Sequence, residues 1–382
     1  MDAPASPPPA TDASADRLTL STARQDPAWD RFLQQSGASH TQSALWGEVK
    51  AALGWRAARV VARRGDTIVG GAQLLIRPVA GLGAIGYVAN GPVLAADDPA
   101  LVGAVLTGLR RAARRLRVQH TTIQPPLHGD ALARTMRERG YLVSTTRVTP
   151  PASVLLDCTV GRDTLLAAMN PRTRYNVQLG ARRGVVVREG DSDDLDVFAR
   201  LLEATARRQR FTALPGDYFR TMWEILQPYG HVRLTLAEYD SEVVAAQLAV
   251  VFGGTVTNKM SVWSGRHGKH RPNEALQWAT IQWAAEQGHR WYDLEGIDVK
   301  AARAVLAGRP LPERAHQSVT SYKLGFGGRV VVLPDAYDDL YNPLLRTAYG
   351  WTYPLVRDRR AVRRLVKQVR SRPRRPSAPA PS

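Results

Sequence analysis

The sequence is poor in cysteine and in lysine. One cysteine, Cys158, in 382 residues excludes an internal disulfide and any cysteine-based zinc cluster. It fits a reducing compartment, and its place in "SVLLDCTV" reads as core filler in a strand. Lysine occurs six times against forty-six arginines. No uninterrupted apolar run reaches the roughly 20 residues that a membrane-spanning helix needs. The opening stretch "MDAPASPPPATDASADR" lacks the basic start and apolar middle of a signal peptide, so the expectation is a cytoplasmic protein. Acid is also scarce. The resulting net charge of +18 and pI near 10.6 attract polyanions such as nucleic acid, anionic lipid or phosphorylated substrates. A polyanionic partner is the expectation, and an arginine bias with abundant alanine, as in a GC-rich genome, is the bland alternative.

What remains is a chain with 44% hydrophobic content and length enough for two domains, each with its own core. Residues 1–17 and 371–382 are Pro/Ala/Ser-rich without periodicity and read as disordered tails. Between them strand and helix patterns alternate, predicting mixed α/β layers. A repeat organises this region. "GDTIVGGAQLLIRPVA" (65–80) and "YDSEVVAAQLAVVFGG" (239–254) both read as a turn and a strand containing Ala-Gln-Leu. Each is followed by another strand, an amphipathic helix ("LVGAVLTGLRRAARRL"; "NEALQWATIQWAAEQG") and a further strand ("HTTIQP"; "WYDLEG"). The shared order predicts two copies of one domain, 18–150 and 151–348. Such a β-turn-β pair, helix and strand form the core of the acetyltransferase-like (GNAT) fold. Helix starts near Pro99 and Asn273 would each present free N–H groups to an anion. The loop before the second, "SGRHGKHRP", lacks the glycine spacing of a coenzyme A pyrophosphate cradle, which counts against an acyl-CoA substrate.

Five ordered segments resemble the FemABX aminoacyltransferases, and most of all their FemX type: "TQSALWGEVKAALGW" (41–55), "GYVANGPVL" (86–94), "MNPRTRYNVQLGARRGVVV" (169–187), "LEATARRQRF" (202–211) and "SYKLGFGG" (321–328). The resemblance covers roughly residues 28 to 348. It implies two tandem GNAT-like domains, here without a long coiled-coil insertion, and transfer of an amino acid from aminoacyl-tRNA to an amine of a peptidoglycan precursor. That precursor is lipid-linked or UDP-linked. Ester aminolysis of this kind needs a neutral amine, a cation for the developing oxyanion and a grip on two anionic reactants. No metal or other cofactor is expected.

The resemblance assigns Lys323, a compact ammonium beside an aromatic and a glycine run, to the aminoacyl carbonyl, with Tyr322 next to it. A strand and turn whose lysine merely caps a surface is the bland alternative. It assigns Lys50 to a precursor phosphate. Trp46 and Lys50, four apart, would share a helix face. Tyr87, before a rigid Gly91-Pro92 turn, would line the precursor groove, or else sit in the core. Arg208, Arg210 and Tyr218 are further precursor contacts, although Leu214, Pro215 and Gly216 occupy the approach where relatives carry a basic residue. Arg172, Arg174, Arg182 and Arg183 form a basic helix able to track tRNA, or a solvated face. Asp293, Glu295 and Asp298 are candidate bases, with proton transfer assisted by the substrate preferred.

From Arg357 to Arg375 there are ten basic residues and one acid, and Val362, Leu365, Val366 and Val369 fall on one helical face. A basic amphipathic helix is therefore expected over 349–370. Contact of residues 354–375 with anionic membrane would bring the enzyme to the inner face of the cell membrane. A tRNA contact and a helix docked on the core are the other readings. The near alternative is the same tRNA-dependent chemistry on a specialised-metabolite or resistance-related acceptor, and two other classes stay open: an acyl-CoA N-acyltransferase and a non-catalytic nucleic-acid binder.

Overall fold

The computed structural model describes residues 16–80, 83–146, 149–341 and 346. The expected basic helix at 349–370, the membrane contact at 354–375 and the tail at 371–382 lie outside the described residues. The first half of the chain runs β1 (Arg17–Ser21), α1 (Pro27–Gln35), α2 (Ala44–Ala51), β2 (Arg56–Arg64), β3 (Thr67–Val79), β4 (Gly83–Val88), β5 (Val93–Leu94), α3 (Pro99–Arg115), β6 (Val118–Ile123), α4 (Asp130–Glu138) and β7 (Leu142–Val143). The second half runs β8 (Ala152–Asp157), α5 (Arg162–Ala168), α6 (Pro171–Arg182), β9 (Val186–Glu189), α7 (Leu195–Gln209), α8 (Gly216–Leu226), β10 (Val232–Tyr239), β11 (Glu242–Phe252), β12 (Thr255–Trp263), α9 (Pro272–Glu286), β13 (Trp291–Asp293), α10 (Val299–Leu306), α11 (Val319–Leu324), β14 (Arg329–Val332) and β15 (Tyr337–Leu340).

Two sheets result, and their order matches element for element. One reads β1-β2-β3-β4-β6-β15-β7, with β5 paired to β3; the other reads β9-β10-β11-β12-β13-β8-β14. Each contains one parallel step at the same place, β4 with β6 and β12 with β13, because α3 and α9 form the crossovers. This is the tandem GNAT architecture. The helices start where local chemistry requires: Pro99 follows an Asp98 side chain that accepts from Ala100 N, and Pro272 opens α9. Apolar faces of α3 (Leu101, Val105, Leu106, Leu109) and α9 (Trp278, Ile281, Ala284) cover the two sheets in separate cores.

The chain divides at residue 150 except for its last described strand, β15. β8 follows β7 in sequence yet joins the second sheet, between β13 and β14. β15 follows β14 yet returns to the first, between β6 and β7. The first sheet thus receives its penultimate strand from the far end of the second half, whereas β8 stays in the half to which it belongs. The expected boundaries are corrected accordingly: residues 337–340 belong with the first unit, and β1 begins at Arg17 rather than after it. The returning strand is firmly held. Tyr337 is buried in the first core, Thr122 Oγ1 donates to the Asp338 carboxylate at 2.7 Å, and Arg110 grips Asp339 through two bonds of 3.0 and 2.7 Å. Tyr337→Ala should therefore lower stability by about 3–5 kcal/mol in urea unfolding. Hydrogen exchange should show lost protection in β6 and α3, and unchanged protection of β6 would contradict the return of β15 to the first sheet.

Candidate functional site

The "TQSALWG" stretch is a docking cassette for α2. Gln42 spans it, its Nε2 donating to Ala89 O at 2.6 Å and its Oε1 accepting from Gln73 N at 2.8 Å. Gln73 Nε2 in turn donates to Ser43 O at 2.7 Å, and Ala44 N donates to the buried Asp30 carboxylate at 2.7 Å. Burial raises the Asp30 pKa to about 6 against these backbone bonds. Ser43 caps the helix by accepting from Trp46 N. Gly47 lets α2 lie directly on the sheet: a Cβ there would sit 2.8 Å from Ala57 Cβ and 3.0 Å from Gln73 Oε1. The repeated Ala-Gln-Leu tripeptide thus supplies a buried glutamine in each half. Gln247 donates its Nε2 to the hydroxyl of the core residue Tyr292.

So anchored, α2 presents Trp46 and Lys50 to the second half of the molecule. Lys50 Nζ lies 4.8 Å from the Trp46 ring centroid and 3.3 Å from the hydroxyl of Tyr218 on α8. Tyr218 is buried, which pushes its hydroxyl pKa up, with the nearby Tyr87 and Glu295 adding to the shift. Tyr87 meets Trp55 edge to face at 5.1 Å beside the same cluster. His40 packs edge-on against Trp46 at 4.7 Å. Burial, then the charges of Lys259 and Lys50, hold its pKa well below 6.5, so it is a neutral imidazole.

Opposite α2 the second sheet opens. Pairing of β12 with β13 stops at Thr257 and Asp293. In the first sheet β4 and β6 stay joined through Val88 and Ile123, and continue through Gln124 N to Val88 O and Gly91 N to Gln124 O. Lys259 and Glu295 each stand two residues beyond the last pair, and their side chains close the gap at 2.5 Å. Lys259 is also the extra residue of a β-bulge, since Leu248 pairs with Met260 and Ala249 with Asn258. The bulge re-aims its side chain, whose Nζ reaches 5.3 Å from the Trp46 centroid. Asn258 donates to Gln277, and Gln277 to Tyr292 at 2.6 Å, forming a buried polar floor.

Lys323 completes the group from behind. Its Nζ donates to the carbonyls of Glu295 and Gly296, the latter at 3.0 Å. Those carbonyls are exposed to it because Glu295 adopts a positive φ of 35° and Gly296 one of 80°. Asp293 stabilises that turn, accepting from Glu295 N at 2.8 Å and from the Ser153 hydroxyl. Burial lowers the Lys323 pKa, opposed by Glu295 and Asp293. Burial raises that of Asp293.

The alternative reading of "SYKLGFGG" as a strand and turn is corrected. The segment is no strand, because Ser318 accepts from Thr320 N and Ser321 N and so starts the helix α11. Nor does its glycine run leave room for a ligand. Gly327 and Gly328 have positive φ, and Cβ atoms there would meet Ala168 O at 2.4 Å and Leu155 O at 2.6 Å. The chain itself fills that space.

Of the candidates read from sequence, Lys50, Tyr87 and Tyr218 come together, and Lys323 joins them through Glu295 and Lys259. Tyr322 points elsewhere: its hydroxyl donates to Asn273 O at 3.0 Å and its ring packs on Phe326. Arg208 stacks on Trp263 at 4.7 Å and donates to its carbonyl, and Arg210 ends α7 in the left-handed region; both are exposed and apart from the cluster. Arg172, Arg182 and Arg183 are exposed on α6 with Arg174 half-buried, and Arg182 lies 5.9 Å over the exposed Tyr175 ring. Asp298 caps α10, accepting from Lys300 N and Ala301 N. Lys259 and His40 were not singled out from sequence. A lysine after an asparagine in a strand of a lysine-poor chain was the available signal for the first.

The start of α9, where a GNAT cofactor's pyrophosphate would be held, is covered by α6. Asn176 donates to the first-turn carboxylate of Glu274 at 3.1 Å, and the Cβ position of Gly180 lies 2.7 Å from Ala275 Cβ.

Comparison with known proteins follows this division. The FemAB family profile matches residues 25–138, and an acetyltransferase (GNAT) domain profile matches 170–301. Lipid II:glycine glycyltransferase of Staphylococcus aureus (strain MRSA252) is 27% identical over 210 residues, 52% of this chain and 50% of that protein. The chain thus spans about half the length of the curated relatives it matches. The crystal structure of FemX superposes with a TM-score of 0.77 at 18% identity, covering 87% of this chain and 99% of that one. A tandem GNAT protein from the clavulanic acid biosynthesis pathway gives 0.52 at 14% identity, covering 86% and 99%. With a FemAB match on the first unit, an acetyltransferase match on the second and the fold of FemX over 87% of the chain, the chain is similar to the FemABX family.

Proposed function

We propose that this protein transfers an amino acid from aminoacyl-tRNA to an amine of a peptidoglycan precursor stem, forming part of an interpeptide bridge. The observation that carries the reading is the convergence of Lys50, Lys259 and Lys323, three of the six lysines in the chain, between the two units. Relatives named as acting on lipid II support the acceptor class. A lipid-linked or UDP-linked precursor brings phosphates, for which the ammonium of Lys50 at the unit interface is the candidate partner.

The chemistry asked of the site is modest. The neutral acceptor amine attacks the ester carbonyl, a C–N bond forms, and the carbonyl oxygen becomes an oxyanion. Collapse breaks the bond to the ribose oxygen, which leaves with the proton the amine gives up. Lys323 has three N–H donors, of which two are held by Glu295 O and Gly296 O, so its direction is fixed and one donor remains for the oxyanion. Lys259 and Glu295 neutralise each other and seal the opened strands. None of the three candidate carboxylates is left uncommitted: Asp293 holds a turn, Glu295 holds Lys259 and Asp298 caps a helix. Proton transfer assisted by the substrate agrees with that. Arg172, Arg174, Arg182 and Arg183 with Tyr175 offer charge and a stacking ring to the tRNA. An acyl-CoA donor is opposed by the covered start of α9 and its Glu274 carboxylate.

Purified protein given a pool of charged tRNAs and both precursor forms should transfer a labelled amino acid in a ribonuclease-sensitive manner. Activity on acyl-CoA without tRNA would overturn the donor, and tRNA binding without transfer would overturn catalysis. Lys323→Met should reduce kcat by at least about 10²–10³-fold, while thermal melting shows a folded protein. Near-normal turnover would remove the oxyanion role.

The pH dependence has a definite sign. Burial lowers the Lys323 pKa, so the required ammonium is lost at a pH below the ordinary 10.5. The alkaline limb of kcat/KM should accordingly fall below 10.5. Glu295 opposes that lowering, so Glu295→Gln should move the limb to still lower pH. An unmoved limb would show that Lys323 does not titrate in the reaction.

A further inference from the structure

We infer that the face formed by α10, the segment 307–314 after it and the first turn of α11 docks on an anionic lipid bilayer. Aliphatic exposure and positive charge coincide there. Leu306, Val319 and Val305 are 59%, 50% and 38% exposed. Between residues 299 and 320 stand Lys300, Arg303, Arg309 and Arg314 against the single carboxylate Glu313. Along α10 the inner face is Ala301, Ala302 and Ala304, all buried, whereas Lys300, Arg303, Leu306 and Ala307 are exposed at helical spacing. Ala307, Gly308, Arg309 and Pro310 continue the exposed run.

This face is tied rigidly to the candidate site. Asp298 N donates to Thr320 Oγ1 at 2.9 Å, joining the start of α10 to α11, the helix that carries Lys323. Arg314 Nη2 returns the segment to the Asp298 carboxylate at 3.2 Å. Eight residues of helix at about 1.5 Å each place the apolar tip on the order of 12 Å beyond that junction.

The chemistry favours lipid over RNA. Single-stranded RNA is held on aromatic rings, and residues 299–320 contain no Phe, Tyr or Trp. Aliphatic side chains ringed by cations suit the boundary between acyl chains and anionic headgroups. Docking is a property of this surface and does not depend on the transfer reaction proposed above.

The test uses the full chain with Leu306→Cys carrying an environment-sensitive nitrobenzoxadiazole label. Native Cys158 is buried and its thiol pKa is pushed up to about 11, which keeps it from competing for the label. Vesicles of phosphatidylcholine with phosphatidylglycerol should brighten and blue-shift the emission, and phosphatidylcholine alone should not. Adding Arg303→Glu and Arg309→Glu should weaken the response about tenfold or more. Four outcomes would overturn the inference: no vesicle binding; vesicle sedimentation without an emission change, which places docking elsewhere; a response to tRNA but not to vesicles; or a response to protein concentration alone, which means self-association.

Discussion

The early end of pairing between β12 and β13 governs the rest of the site. A parallel sheet normally buries its backbone groups in continuous hydrogen bonds, and opening it exposes polar atoms that must be satisfied some other way. Here side chains do it. Lys259, aimed by a bulge, and Glu295, in a left-handed turn, close the gap between the strands, while Lys323 takes up the two carbonyls that the turn exposes. The first sheet has no such need, because its equivalent strands stay joined. Two copies of one architecture are therefore chemically unequal, and the difference lies in a few backbone bonds.

The return of β15 to the first sheet gives that inequality its use. A cleft between two units works only if the units hold a fixed relation, and a strand returned from the end of the second half to the first sheet supplies it more firmly than a surface contact would. Trp46 and Lys50 come from the first unit, Tyr218 and Lys259 from the second, and their contacts are within a few ångströms of one another. Small errors in relative placement would separate them. The glutamines of the repeated tripeptide act at a finer scale: Gln73 fixes α2 to its sheet, and Gln247 ties Tyr292 into the floor of the opening.

Much of this was legible in the sequence, for physical reasons. The repeat, the two crossover helices and their starts follow from periodicity, an Asp cap and proline placement, all local signals. Lys50, Tyr87 and Tyr218 were found because they sit in distinctive segments. The return of β15 was not legible, since it has an ordinary strand pattern and nothing local says which sheet receives it. The glycines of "GFGG" are uninformative for a related reason: glycine marks close approach without saying of what, and here it is Ala168 and Leu155. Lys259 and Glu295 are adjacent only because their strands diverge, so neither flank reveals the pair.

Why lysine survives at these positions in an arginine-rich chain follows from geometry. The ammonium of Lys323 is a point with three divergent donors, able to meet two successive carbonyls and still offer a third bond. A guanidinium is a planar fork suited to two parallel acceptors, and its spread would not fit two oxygens on one turn with a third direction free. It would also remain charged at any working pH, whereas a buried lysine retains a proton equilibrium that its neighbours can adjust. At Lys259 the compact head fits between a carboxylate and an indole at once. The lysine content is low overall, but half of it stands where a single small cation must serve several partners.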